Sequence, residues 1–251
     1  MKVEETGAAP LAETRLAVVC PMANERDTAV RFVSEVLAVT SATFGTVAFF
    51  AVLDRASRDG TLALLQEFAR GEPRLQVVWA PENTCVVDAY LRGYREAIDS
   101  SADWILEIDA GFSHRPDDFP QFVQAMSQGY EVVFGSRFCP GGRMEDAPIS
   151  RRILSRGGTW LVNLLLGTQL HDMTSGYELF QRHALAEILA RGIQSRGHFF
   201  QTEIKVHARN MRITEVPIRY RSPSASVSRG VVADALSRLG TLFRQRLAGT
   251  L

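Results

Sequence analysis

Trp104-Ile105-Leu106-Glu107-Ile108-Asp109-Ala110-Gly111 is an apolar run that stops on a carboxylate followed by two small residues. Taken alone, such a run reads equally as a buried strand or a piece of buried helix. Its neighbours decide. Upstream, residues 16–20, 47–53 and 75–79 are runs of the same kind, each followed by a segment of helical period at 28–39, 60–69 and 85–98. Downstream come a helical segment at 116–126 and another apolar run at 132–134. Short apolar strands alternating with amphipathic helices predict an α/β fold, a Rossmann-like, mostly parallel sheet flanked by helices. Ligands of such sheets bind outside the carboxyl ends of the strands, so the chemistry is expected just after each run.

Beyond Pro140-Gly141-Gly142 the pattern changes. A long helix is expected over 151–166, shorter ones over 184–190 and 200–209, and a strand over 213–217. Residues 1–14 are polar and aperiodic and read as a flexible tail. Residues 15–229 read as one domain, with Ser/Pro-rich 222–228 as a mobile loop. Residues 230–251 read as a closing amphipathic helix of that same domain. The 251 residues, 46% hydrophobic and 22% charged, exclude a disordered or low-complexity chain. The longest apolar stretch, 47–53, is far shorter than the roughly 18 residues of a spanning helix. Cys20, Cys85 and Cys139 are odd in number and widely spaced, which excludes a disulfide framework and a zinc-ligand pair. A cytoplasmic location is expected, at most peripheral at the inner membrane face.

Lysine and arginine total 28, matching 28 acidic residues, but the balance is uneven along the chain. Up to Ser136 there are 11 basic and 20 acidic residues, leaving 17 and 8 for the remainder. Lys2 and Lys205 are the only lysines, so the positive half is built from arginine, whose planar fork matches phosphate oxygens. No nucleic-acid partner is expected, and a homodimer is one expected assembly.

Several residues at the strand ends suit particular chemistry. Asp54, the first polar residue after a seven-residue apolar run, can accept from a nucleoside base or ribose hydroxyl, whereas Asp59 before Gly60-Thr61 reads better as a helix cap. Glu107 and Asp109, two apart, share a face if the strand continues through them, and a carboxylate pair suits a hard divalent cation bridging a diphosphate. Gly135-Ser136-Arg137, with Arg151, Arg152 and Arg156 at a helix start, forms a candidate anion cradle, the alternative being a solvated basic face. Asp172, ahead of Thr174-Ser175-Gly176, is either a proton acceptor or a turn-fixing residue. The five histidines lack ligand spacing and are expected at the surface or at caps; Trp79, Trp104 and Trp160 are expected in the core.

In order along the chain, Pro21-Met22-Ala23-Asn24-Glu25, Asp54 to Thr61, Asp109-Ala110-Gly111-Phe112-Ser113-His114, Gly135-Ser136-Arg137, Ser155-Arg156-Gly157, Asp172 to Tyr177, Phe200-Gln201-Thr202-Glu203 and Glu215-Val216-Pro217 form a recognisable series. The chain resembles family 2 glycosyltransferases of GT-A fold, and within them the dolichol-phosphate or polyprenyl-phosphate mannose synthases. The resemblance implies inverting transfer of a mannose-like hexose from a nucleoside diphosphate sugar, such as GDP-mannose, to polyprenyl phosphate. It implies donor contacts from Pro21, Glu25, Asp54, Asp88, Ala110 and Arg229. Acceptor contacts would come from Ser136, Arg137, Arg151, Arg152, Arg156 and Gln201, and the catalytic set would be Asp109, Arg137 and Asp172. Asp109 would hold Mg2+ or Mn2+, with Glu107 as helper, because Gly111 replaces the second carboxylate of the family's Asp-x-Asp. Arg55 replaces another family aspartate, and Thr84 to Asp88 replace a glycine-rich stretch. These departures admit two alternatives: a transferase acting on a soluble small molecule, and a non-catalytic nucleotide-binding relative.

Overall fold

A computed structural model describes residues 11–221 and 229–251. The expected 222–228 loop and residues 1–10 of the expected tail lie outside the described residues. Four parallel strands form one half of the main sheet: β1 (Arg15–Pro21), β2 (Thr46–Leu53), β3 (Leu75–Trp79) and β4 (Trp104–Glu107). Helices α1 (Ala29–Ser41), α2 (Thr61–Ala69) and α3 (Val86–Asp99) connect them. β1, β2 and β4 are buried almost throughout, because helices cover both faces and leave no row of side chains for solvent. α3 lies so close to β1 that a Cβ on Gly93 would come within 2.4 Å of Val19 Cγ1.

The second half follows α4 (Phe119–Ser127): β5 (Val132–Ser136), β6 (Arg143–Glu145), α5 (Ile149–Leu166), β7 (Glu178–Gln181), α6 (Arg182–Ala190), α7 (Phe200–His207), β8 (Ile213–Pro217), β9 (Arg219–Arg221) and α8 (Arg229–Leu247). The strand order is β3-β2-β1-β4-β7-β5-β8, and β6 pairs with β9 in a separate two-stranded sheet. β7 runs antiparallel to both its neighbours and joins the two halves. The sequence pattern does not announce this strand, since Glu178-Leu179-Phe180-Gln181 is short and starts with a charge; that charge is buried against Lys205 of α7. α8 packs on α5. No helix among the described residues is long and apolar enough to cross a membrane.

Two tryptophan expectations fail. Trp104 is buried, but Trp79 and Trp160 are exposed, because β3 is the sheet's edge and Trp160 points away from the body along α5.

Candidate active site

The carboxyl ends of β1, β2 and β4 carry three loops that brace one another. In the β1 loop, the Asn24 side chain donates to Ala56 O at 3.0 Å and accepts from Arg58 N at 2.9 Å, tying it to the loop after β2. Asp59 accepts from Arg26 N and from the backbone and hydroxyl of Thr61, so it fixes the entry of α2, as the cap reading expected. Asp54 is half-buried and accepts from Ala56 N at 2.8 Å and Asn83 Nδ2 at 3.4 Å. Pro21 ends β1 beside this floor, paired with Val52. Glu25 sits above it, its carboxylate taking the Thr28 hydroxyl at 2.7 Å.

Asp109 and Ala110 leave the end of β4 half-buried, with the Asp109 side chain 32% exposed. Tyr90 of α3 donates to Asp109 Oδ1 at 2.5 Å, which sets the carboxylate's direction. His114 lies beside it, with Nδ1 3.5 Å from Oδ2. Contrary to the surface expectation, His114 is fully buried, stacked on Tyr177 and close to Tyr220. Burial holds its pKa below the ordinary value despite the pull of Asp109. The spacing of the two residues in Asp109-x4-His114 was the available signal for this neighbour.

Four expected contacts find other roles. Glu107 does not share the Asp109 opening: β4 ends at Glu107, the two-residue period lapses, and its carboxylate is buried between Tyr94 and Gln201, both hydrogen-bonded to it. Burial first, then Glu178 and Asp109, raise its pKa well above the carboxylate range, and both its oxygens are engaged by those two side chains. Gln201 is buried, and its Nε2 is taken up by the same contact. Asp88 accepts from Thr84 N, Thr84 Oγ1 and Cys85 N, closing a capping box at the start of α3 rather than holding a donor. Ser136 is buried, and its hydroxyl accepts from Phe138 N and Cys139 N to shape the turn after β5.

Arg137 is the centre of the second half. Its side chain is only 6% exposed, and Asp172 takes Nε at 2.6 Å and Nη2 at 2.7 Å. Asp172 also accepts from Arg137 N and Thr174 N, and Thr174 Oγ1 takes Nη2. Burial opposes the Asp172 charge, and the guanidinium more than offsets it, lowering the pKa to about 2. A carboxylate held there is a poor proton acceptor, so the structure favours the turn-fixing and arginine-orienting reading over the base. Arg137 lies 5.2 Å from the Phe138 and Tyr220 ring centroids, and Arg156 reaches the other side of Phe138 at 5.1 Å. The Arg151 charge is felt at Tyr220, where it opposes the rise that burial gives the phenol. Arg152 is turned aside, donating to Met144 O at 2.8 Å, and so pins β6. Arg221 pairs with Asp146, and Arg229 opens α8 with its side chain outside the described residues.

The loops after β1, β2 and β4 thus carry the carboxylates Glu25, Asp54 and Asp109, and the chain beyond β5 carries the arginines. Residues 17–189 match the family described as glycosyl transferase family 2. The chain belongs to that family. Over 181 residues this glycosyltransferase is 32% identical to a polyprenol monophosphomannose synthase of Mycolicibacterium smegmatis, covering 71% of this chain and 68% of the relative. It is also 32% identical over 190 residues to an undecaprenyl-phosphate mannosyltransferase of Micrococcus luteus, covering 74% and 78%. Its GT-A fold is shared with glucosyl-3-phosphoglycerate synthase of Mycobacterium tuberculosis, solved with Mn2+, UDP and phosphoglyceric acid, at a TM-score of 0.66, 18% identity and coverage of 91% and 80%.

A divalent cation at the mouth would find hard oxygen donors in the Asp109 carboxylate and in the Glu25 carboxylate packed against Gly111. Among the described residues no three His, Cys, Asp or Glu gather as a metal site. Where an aspartate at 111 would stand, the Glu25 carboxylate fills the space of the missing Cβ. The donor set therefore fits a cation that completes its shell with substrate diphosphate oxygens, not one caged by protein.

Proposed function

We propose that this glycosyltransferase moves a mannose-like hexosyl unit, with inversion, from a nucleoside diphosphate sugar such as GDP-mannose to the phosphate of a polyprenyl phosphate. The carrying observation is the Arg137 guanidinium, buried and pre-aimed by Asp172, at the foot of a helix whose outer stripe is apolar. Ile149, Ile153, Trp160 and Leu164 recur along one face of α5 at 61–74% exposure, with Arg156 among them. A phosphate bound by Arg137, Arg151 and Arg156 would leave its hydrocarbon tail beside that stripe. Amphipathic helices with basic and tryptophan-bearing faces lie in the membrane interface, which supports peripheral docking at a cytoplasmic membrane surface. The names of the two mannosyl-transferring relatives support the same acceptor and sugar.

The chemistry follows from the carboxylates and the arginines. Asp54, Pro21 and Ala110 shape the nucleoside diphosphate side, and a bound Mg2+ or Mn2+ would neutralise charge on the departing diphosphate. Arg137 holds the acceptor phosphate on the far side of the sugar. That phosphate is already an anion, so its oxygen attacks the anomeric carbon without a base, the bond to the diphosphate breaks on the opposite face, and the configuration inverts. Positioning and charge stabilisation carry the rate.

The test is transfer from radiolabelled GDP-mannose offered undecaprenyl phosphate or phosphoglyceric acid. Label entering the organic phase as an alkaline-stable, acid-labile lipid supports the proposal. Label appearing only in phosphoglyceric acid overturns the lipid acceptor, and nucleotide binding without transfer to either overturns catalysis.

A further inference from the structure

Gly111 has a φ of +69°, and a Cβ built on it would lie 2.9 Å and 3.0 Å from the two carboxylate oxygens of Glu25. An aspartate at 111 would therefore collide with an occupied space, on a backbone that favours glycine and accepts aspartate only at a cost. The occupant is another carboxylate. It is brought there by adjacent strands: Val19 of β1 pairs with Glu107 of β4, and Ile108 N donates to Val19 O at 3.1 Å, so the two following loops emerge side by side. Glu25 is held by both ends of the residue. Its backbone N donates to Thr61 Oγ1 at 2.9 Å, and Oε2 takes the Thr28 hydroxyl. Among the described residues it forms no ion pair, unlike Glu72 or Asp172, whose carboxylates are paired with Arg74 and Arg137. A fixed, half-buried carboxylate without a cationic partner among the described residues, packed against Gly111 two residues after Asp109, is a hard oxygen donor with free coordination capacity.

We propose that Glu25 supplies from the β1 loop the second carboxylate that position 111 lacks, so that Asp109 and Glu25 together hold the divalent cation meeting the donor's diphosphate. This rests on the cation in the reading above, and it is independent of the acceptor. It also gives Glu25 a different duty from a contact to the nucleoside.

Binding of Mn2+, followed by the loss of its free electron paramagnetic resonance signal, with and without GDP, tests the assignment without any turnover. Glu25→Gln, which keeps the side chain's shape and its bond from Thr28, should weaken Mn2+ binding by about tenfold or more, because affinity for hard cations follows ligand charge. Glu25→Ala should do the same. Adding Gly111→Asp to Glu25→Ala clears the space and returns a carboxylate at a residue type that tolerates positive φ; it should bring binding back to within about threefold of wild type. Thermal melts check that each variant is folded. Mn2+ bound by Glu25→Gln as tightly as by the wild type would overturn the proposal, as would absence of Mn2+ binding to the wild type in both arms. A transferase that uses another acceptor, or none, leaves these outcomes unchanged.

Discussion

Replacing Asp172 by asparagine keeps the shape of the turn and removes the charge facing Arg137. Both side chains are nearly inaccessible, and the two contacts are 2.6 and 2.7 Å. Folding lowers the Asp172 pKa from 3.8 to about 2. At about 1.36 kcal/mol per pH unit this corresponds to about 2.4 kcal/mol of stability at neutral pH. The asparagine also turns an amide donor toward a buried guanidinium, and stranding one member of a buried pair costs about 3–5 kcal/mol. Urea unfolding at pH 7 should therefore show a loss of about 2–5 kcal/mol with an unchanged m-value. Because folding depresses this pKa, the contribution is complete above the unfolded value of 3.8 and disappears as the pH falls toward 2. The difference between variant and wild type should shrink over that acid window. Combining Asp172→Asn with Arg137→Met removes the stranded charge and should recover part of the loss. A loss below about 1 kcal/mol, or strict additivity of the two single changes, would refute the buried pair as a coupled unit.

Four further outcomes are expected. Arg137→Ala should raise the KM for undecaprenyl phosphate by about tenfold or more while moving the GDP-mannose KM far less; equal effects on both would count against the acceptor assignment. Glu107→Gln should gain stability over wild type as pH rises above 4.5, since the folded state retains a proton on Glu107 that the unfolded chain has released; a flat difference in melting temperature above that pH would contradict the raised pKa. Ile153→Ser with Trp160→Ser should reduce co-sedimentation with anionic vesicles by about tenfold or more, each exposed apolar side chain being worth about 1.5–3 kcal/mol when buried; unchanged partitioning would exclude α5 as the docking face. Gly93→Ala should destabilise the protein by about 1–3 kcal/mol in urea, because its methyl would overlap Val19; a neutral result would show that α3 can move off the sheet.

The alternation of apolar runs and amphipathic segments was enough to read the parallel half of the sheet, because β1, β2 and β4 are apolar enough to be buried on both faces and the edge strand β3 keeps the same apolar run. β7 escaped because its burial is conferred by neighbours: Leu179 and Phe180 are two apolar residues between charged and polar ones, and Glu178 is acceptable only beside Lys205. Expected residues just past a strand end, Asp109 two residues after β4 and Arg137 next after β5, do lie at the candidate site. The site was misread where a periodic rule was carried past the end of the strand, as with Glu107, and where a helix start looked like a ligand. Thr84-Cys85-Val86-Val87-Asp88 has the spacing of a capping box, and that local use of Asp88 outranks a distant one. Gln201 and Ser136 lie in the right motifs but on the inward side, which spacing within a motif does not reveal. Trp160 shows the converse limit: apolar content does not say whether anything covers it.

The antiparallel position of β7 orders the birth of the enzyme. A ribosome that has released residues up to Glu107 has made β1 to β4 and the loops of the nucleotide floor, yet the outer edge of β4 stays bare until residues 178–181 arrive. Arg137 likewise waits for Asp172. Pairings separated by more than seventy residues in sequence are slow to close, and an uncovered strand edge invites pairing with another chain. Pulse-labelled hydrogen exchange during refolding should protect β1, β2 and β4 amides before those of β7, so that the half bearing Asp54 matures while the half bearing Arg137 is still unmade.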